Sequence, residues 1–199
     1  MFKKVFLTVS VVILMAGYAQ AQINFGVRAG LNLTNIKYSG EGSESADMKP
    51  GFQVGVVGEI NIPGLIAIQP GIIFAQQGCK FDEWTTALNY IQIPVNVIYK
   101  VGLGPAHLLL QAGPYFGYGI SAKSKYDGNS EKLKFGSGDD ADIKAIDFGL
   151  GVGAGVQLGS IQAGIGYNFG LANLDPEGSS DFKAKNNGLA LTVTYFFGK

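Results

Sequence analysis

Past residue 22 the chain alternates apolar and polar residues almost without interruption. The segment INFGVRAGLNLT sets Ile23, Phe25, Val27, Ala29, Leu31 and Leu33 on one side and Asn24, Gly26, Arg28, Gly30, Asn32 and Thr34 on the other. Successive side chains of a strand point to opposite faces, so this period of two predicts a strand with one apolar face. Similar runs recur near residues 51–61, 65–77, 87–100, 107–121, 145–158, 160–171 and 187–198, which makes eight strands and leaves no room for a helix. The connections alternate as well. After runs two, four and six they are the short IPG, VGLGPA and GS; elsewhere they are long and polar, over 37–50, 78–86, 122–144 and 172–186. The expected fold is all-β: an eight-stranded antiparallel up-and-down barrel with short turns at one end and long loops at the other.

Alternation alone does not say which face is inside. Most of the charged residues fall in the four long connections, and only Arg28, Glu59, Lys100 and Asp147 lie on polar strand faces. Those faces otherwise carry Gly, Asn, Gln and Thr, where a water-facing strand would carry Lys and Glu. They suit a crowded polar interior. On the apolar face Phe25, Tyr99, Tyr195 and Phe197 lie near the short-turn end, and Phe52, Phe74, Tyr118, Phe148 and Phe169 near the long-loop end. Two aromatic girdles around an aliphatic band are what the two interfaces of a bilayer select. The expectation is therefore a transmembrane barrel, apolar side outward, closed because lipid leaves no backbone group an alternative partner.

The first residues fit that reading. Lys3 and Lys4, the apolar stretch Val5 to Gly17, and the A-x-A site Ala19-Gln20-Ala21 have the layout of a secretory signal peptide, residues 1–21. The apolar stretch is too short for a spanning helix. Residues 22–199 are then a single barrel domain in the cell outer membrane, with short turns in the periplasm, long loops outside and both termini on the periplasmic side. A formal charge of zero argues against a nucleic-acid partner, and a single cysteine, Cys79, excludes an internal disulfide framework. Cys79 is expected to be an unpaired loop thiol. Pro70, Pro94 and Pro114 fall inside predicted strands, where proline cannot donate to a ladder, so bulges or missed hydrogen bonds are expected there.

The segments FGVRAGLNLTNI, IAIQPGIIFAQQG, LNYIQIPVNVIYK, QAGPYFGYGISAK and DFGLGVGAGVQL resemble the PorT-like outer membrane β-barrel proteins of Bacteroidota. The resemblance covers essentially all of the mature chain, in order, and includes the three strand prolines. It implies a small outer membrane barrel, in most relatives without an assigned activity. Two positions depart from the pattern. Gly71 stands where many relatives carry a glutamate, and Phe197 is followed by Gly198 and Lys199 where the assembly signal usually ends on the aromatic.

Candidate chemistry is sparse. His107, the only histidine, would need an acid or hydroxyl partner to act as a base, and its nearest in-strand serine, Ser121, lies at the other end of the same run. Asp127, Asn129 and Glu131 faintly echo a calcium loop, but Lys132 stands where the tight-turn glycine belongs. The third long loop, with Asp139, Asp140 and Asp142, reads as solvated and mobile. No catalytic residue, metal site or cofactor is expected. Inside a narrow barrel charges must pair, so Arg28 and Glu59 are expected to form an ion pair joined by Lys100. Asp147 would pair with a loop lysine or line a vestibule. Tyr38, Trp84 and Tyr126, with Phe81, are candidate contacts for lipopolysaccharide, a protein or a glycan at the extracellular loops.

Gly149, Gly151 and Ala154 also match the dinucleotide fingerprint G-x-G-x-x-A, within a run that carries glycine at 149, 151, 153 and 155. That fingerprint needs a following helix and an acid about 20 residues on. Here alternation resumes at once, so the glycines read as one bare strand face leaving room for Arg28, Gln92 and Tyr115. The favoured function is a structural or interaction barrel of the outer membrane that is not an enzyme. A narrow porin-like pore is the alternative, and a lipid-modifying barrel enzyme a more distant one.

Overall fold

The computed structural model describes residues 23–39, 46–136, 141–176 and 183–198. The expected signal peptide lies outside them. Eight long strands close into a ring: β1 (Ile23–Ser39), β2 (Asp47–Ile62), β3 (Ile66–Phe81), β4 (Trp84–Leu103), β5 (Ala106–Tyr126), β9 (Ile146–Leu158), β10 (Ile161–Gly170) and β11 (Lys183–Phe196). Between β5 and β9 come the short β6 (Asn129–Leu133), β7 (Phe135–Gly136) and β8 (Ile143–Lys144). Each long strand pairs antiparallel with its neighbours in sequence order, and β1 pairs with β11 from Gly26 opposite Phe196 to Ser39 opposite Lys183. The result is the expected up-and-down antiparallel barrel.

The alternation decides what each face meets. On β9 the outward Ile146, Phe148, Leu150, Val152, Val156 and Leu158 are all about half exposed, while the inward Asp147 and Gln157 are buried. The same contrast runs round the ring and leaves a continuous apolar outer surface far larger than a soluble monomer tolerates. Phe25, Tyr99, Tyr195 and Phe197 stand outward near the short-turn end; Phe52, Tyr118, Phe148 and Phe169 stand outward at the other, with Phe74 half-buried against Phe52 at a ring distance of 5.6 Å. Phe116 and Tyr167 also face outward in the upper girdle, Tyr167 packing on Phe169 at 4.6 Å.

Turn chemistry sets the short-turn end. Gly104 (φ +63°) and Gly159 (φ +54°) each lead a two-residue turn, the position that a type II′ hairpin reserves for glycine. The opposite end departs from expectation. The predicted long loop over 78–86 is instead a two-residue turn at Asp82-Glu83, because β3 and β4 stay paired as far as Phe81 and Trp84. Likewise β5 runs on to Tyr126, and Asp127 (φ +44°) and Gly128 (φ +82°) make a type I′ turn into β6. Asp127 lies in a tight turn and Asn129 and Glu131 in a paired strand, in place of the expected solvated mobile loop; Asp139 and Asp140 lie outside the described residues. The strands thus overshoot the apolar band.

Each of the three prolines Pro70, Pro94 and Pro114 coincides with a gap in a ladder. Pairing lapses between Val57/Gly71 and Ile60/Ile68 beside Pro70, between Pro70/Val95 and Ile73/Gln92 beside Pro94, and between Pro94/Tyr115 and Val97/Ala112 beside Pro114. The register itself does not shift at these points, so of the two expected outcomes the ladder shows missed pairs rather than bulges. True register shifts lie between Met48 and Gln53, across the further strand proline Pro50, and between Asn89 and Tyr90. At the first of these, inward side chains stand in for ladder bonds. Thr34 Oγ1 accepts from Gly78 N (2.9 Å), and Asn32 Nδ2 donates to Phe52 O (3.3 Å) and Gln76 O (3.2 Å).

The glycine face of β9 is room for neighbours. A Cβ on Gly149 would strike Phe169 O and come within 2.7 Å of the Tyr115 ring; on Gly151 it would meet Asn168 Oδ1 (2.8 Å), and on Gly153 Gln111 Nε2 (2.9 Å). Tyr115 is where the sequence pattern puts it. Arg28 and Gln92 are not among the nearest atoms, which belong to β5 and β10 beside β9, but they line the same cavity as Gly151. Gly149→Ala is therefore expected to cost about 1–3 kcal/mol by overpacking. Gly102→Ala, where a Cβ meets nothing within 4 Å, should be close to neutral. Urea unfolding of both variants in detergent micelles, followed by Trp84 fluorescence, checks the contrast.

Candidate functional site

The inward face is filled in three tiers. The lowest holds the charges. Glu59 is fully buried and accepts an ion pair from Lys100 Nζ at 2.7 Å, while Lys100 also donates to Asn61 Oδ1 at 2.9 Å. Arg28 donates from Nε to Thr194 Oγ1 (3.0 Å) and from Nη2 to Gln69 Oε1. Gln69 in turn donates to Gln162 Oε1 at 3.1 Å and to Glu59 Oε2 at 3.5 Å. The expected direct Arg28–Glu59 pair is thus replaced by a relay through Gln69. The reason is register: Arg28 stands opposite Gly55 and Glu59 opposite Asn24, four residues apart along the strands. Lys100 reaches Glu59 from β4, across β3, because the barrel is narrow.

The middle tier is made of amides. Gln53, Gln92, Asn96, Gln111 and Asn168 line a cavity of about 70 Å³ above Arg28. Its polar walls and size suit a few water molecules. Asp147 sits above it. This carboxylate is fully buried rather than at a rim, and it is held by Asn186 Nδ2 (3.0 Å) and Tyr115 Oη (3.5 Å), with no lysine partner among the described residues. Two facts place it there. Asp147 stands opposite Gly117, which offers it space, and the strands continue well past it.

The top tier goes beyond what the sequence pattern predicts. Ile36, Ala46, Cys79, Leu88, Tyr90, Ala122, Leu174 and Ala184 form a buried apolar cluster beyond the aromatic girdle, with Tyr38, Leu133, Phe135 and Ile143 packed against it. It closes the outer mouth. Cys79 is therefore a buried strand residue and not a loop thiol. Burial raises its pKa, opposed by a hydrogen bond from Tyr38. Burial, then the neighbouring Cys79, pushes the Tyr38 phenol up to about 12. Tyr38 is thus engaged in the cluster and not free for a partner, whereas Trp84 and Tyr126 remain exposed and stack at 4.4 Å, beside the exposed Phe81. The signal for this cap is the inward parity of Ile36, Cys79, Leu88 and Tyr90; Ala122 has outward parity in its run and turns inward only through the register shift at Asn89 and Tyr90.

At the opposite mouth a polar vestibule of about 590 Å³ is lined by Asn24, Asn61, Lys100, His107 and Gln157. The His107 side chain hydrogen-bonds to none of the described residues, and Ser121 lies at the far end of β5. Among the described residues no cluster of His, Cys, Asp or Glu could hold a metal ion.

The family model described as outer membrane protein beta-barrel domain matches residues 18–175. The chain belongs to that family, and its place is the outer membrane. No curated protein matches it in sequence. Among solved structures it is similar to Neisserial surface protein A, with a TM-score of 0.50 at 16% identity over 86% of this chain and 96% of that one. It is also similar to a major outer membrane protein of Thermus thermophilus (TM-score 0.49, 17% identity, 88% and 100% covered). A third similarity is to Ail of Yersinia pestis (TM-score 0.47, 15% identity, 87% and 98% covered). At these identities the likeness is one of fold.

Lys100→Met leaves Glu59 buried and stripped of its cation, and is expected to cost about 3–5 kcal/mol. Adding Glu59→Met should recover most of that loss, which a double-mutant cycle in urea reads directly. Cys79 supplies a second check. Its raised thiol pKa means that the stabilisation from keeping it protonated is present below the unfolded thiol's pKa and is lost as pH rises through the folded value. Maleimide labelling at pH 8 should accordingly be many times slower in the folded barrel than in the unfolded chain, and equal rates would contradict the buried placement.

Proposed function

We propose that this protein is a structural and interaction barrel, exported by its N-terminal signal peptide, whose work is done at its extracellular end and not through its lumen. The observation that carries the reading is the three-tier filling of the interior. An ionic relay lies below, an amide-walled cavity of about 70 Å³ in the middle and an apolar cap above. A solute path would have to break all three. The closed cap, in turn, makes the overshooting strands a firm platform, on which Phe81, Trp84 and Tyr126 are exposed side by side. Stacked, exposed aromatics of this kind suit a protein or glycan contact. The motif resemblance to PorT-like proteins of Bacteroidota belongs to the same proposal, without implying a secretion role.

Catalysis is not part of it. His107 and Ser121 sit at opposite ends of one strand, so this histidine does not reach that hydroxyl as a base. In planar bilayers the purified barrel is expected to carry little or no current at either polarity. A stable ohmic conductance would overturn the proposal in favour of a narrow pore.

A further inference from the structure

The outer surface changes chemistry with height. Above the upper aromatic girdle the outward positions carry amides and hydroxyls: Asn35, Gln76, Asn89, Ser121 and Asn187. They form a lateral row, with Gln76 Nε2 donating to Asn89 Oδ1 (3.3 Å) and Asn89 Nδ2 to Ser121 Oγ (2.8 Å). Beyond that row the outward positions turn basic. Lys37 stands directly opposite Lys185 where β1 meets β11, and Lys123 directly opposite Lys132 where β5 meets β6. Like charges facing each other across a ladder destabilise a sheet. Lys80, by contrast, is opposite Asp47. Among the described residues none of Lys37, Lys185, Lys123 and Lys132 forms an ion pair.

We propose that these two lysine pairs bind the phosphate groups of lipopolysaccharide in the outer leaflet. An anion between two facing ammonium groups turns their repulsion into two charge-assisted contacts. The bilayer itself presents phosphate at this height. The aliphatic band faces hydrocarbon, the aromatic girdle faces the interface, and the next layer outward is the phosphorylated head group. The two pairs lie on separate parts of the ring, one at the β1–β11 seam and one on the β5–β6 hairpin, so the barrel is gripped at two points. The assignment rests on the reading of this chain as an outer membrane barrel, and it gives that barrel a lipid partner beside the contacts proposed at its tip.

The test uses the mature full-length barrel in three vesicle types: phosphatidylcholine alone, phosphatidylcholine with bisphosphorylated lipid A, and phosphatidylcholine with lipid A stripped of phosphate. Bisphosphorylated lipid A should raise the thermal unfolding midpoint by on the order of 5 °C, and molar salt should abolish the shift. The quadruple variant Lys37→Gln, Lys185→Gln, Lys123→Gln, Lys132→Gln should fold, lose the shift, and be at least as stable as the parent in phosphatidylcholine alone. A shift retained by that variant, or matched by phosphate-free lipid A or by inorganic phosphate, overturns the assignment. Failure to insert into any of the three vesicles overturns the membrane reading and the lysine assignment together, an outcome distinct from insertion without phosphate dependence.

Discussion

The seam at which β1 meets β11 is the interaction on which the rest of this structure depends. In lipid a backbone N–H or C=O without a partner costs several kcal/mol, and no water is present to relieve it. A sheet of eight strands has two edges unless the first strand pairs with the last. Here that pairing runs from Gly26/Phe196 to Ser39/Lys183. Once the ring is closed its circumference is set, and eight strands leave a lumen only as wide as the side chains that fill it. Everything inside follows from that width.

A narrow closed ring leaves little freedom for inward residues. Where one strand carries bulk its neighbours must be bare, which is why Tyr115 lies over Gly149 and Gln111 reaches toward Gly153. Charges cannot stay solvated, so they are paired or relayed, or, like Asp147, held by neutral donors. Glu59 takes its cation from Lys100 and meets Arg28 only through the two ends of the Gln69 amide. A glutamine suits that place because its carbonyl accepts from a guanidinium while its amide donates to a carboxylate.

What was legible in the chain was whatever the bilayer enforces repeatedly. Each strand crosses the same slab, so the outward choice of Val, Leu or Ile recurs, and so do the girdles at its two boundaries. The closed ring, the inward facing of Arg28, Glu59, Lys100 and Asp147, and the bare face of β9 could all be read that way. Beyond the slab the signal fades. Over residues 78–86 and 122–133 the outward positions have left the hydrocarbon, so both faces can be polar and a paired strand looks like a loop. Contacts across the lumen were hidden for a different reason. Whether Glu59 meets Arg28 or Lys100 depends on the stagger between strands, which no single run of residues encodes. Asp147 was misplaced for the same cause: its height relative to the rim depends on how far other strands extend.

The apolar cap above the girdle gathers residues from β1, β3, β4, β5 and β11 and from the segment after β10. Every one of those segments must cross the bilayer before the cluster can form, so its packing can only be the last event of insertion. It then behaves as a rivet head. A single hairpin cannot slip back through the membrane without tearing buried side chains away from all the others, and departure becomes a concerted event with a barrier set outside the lipid.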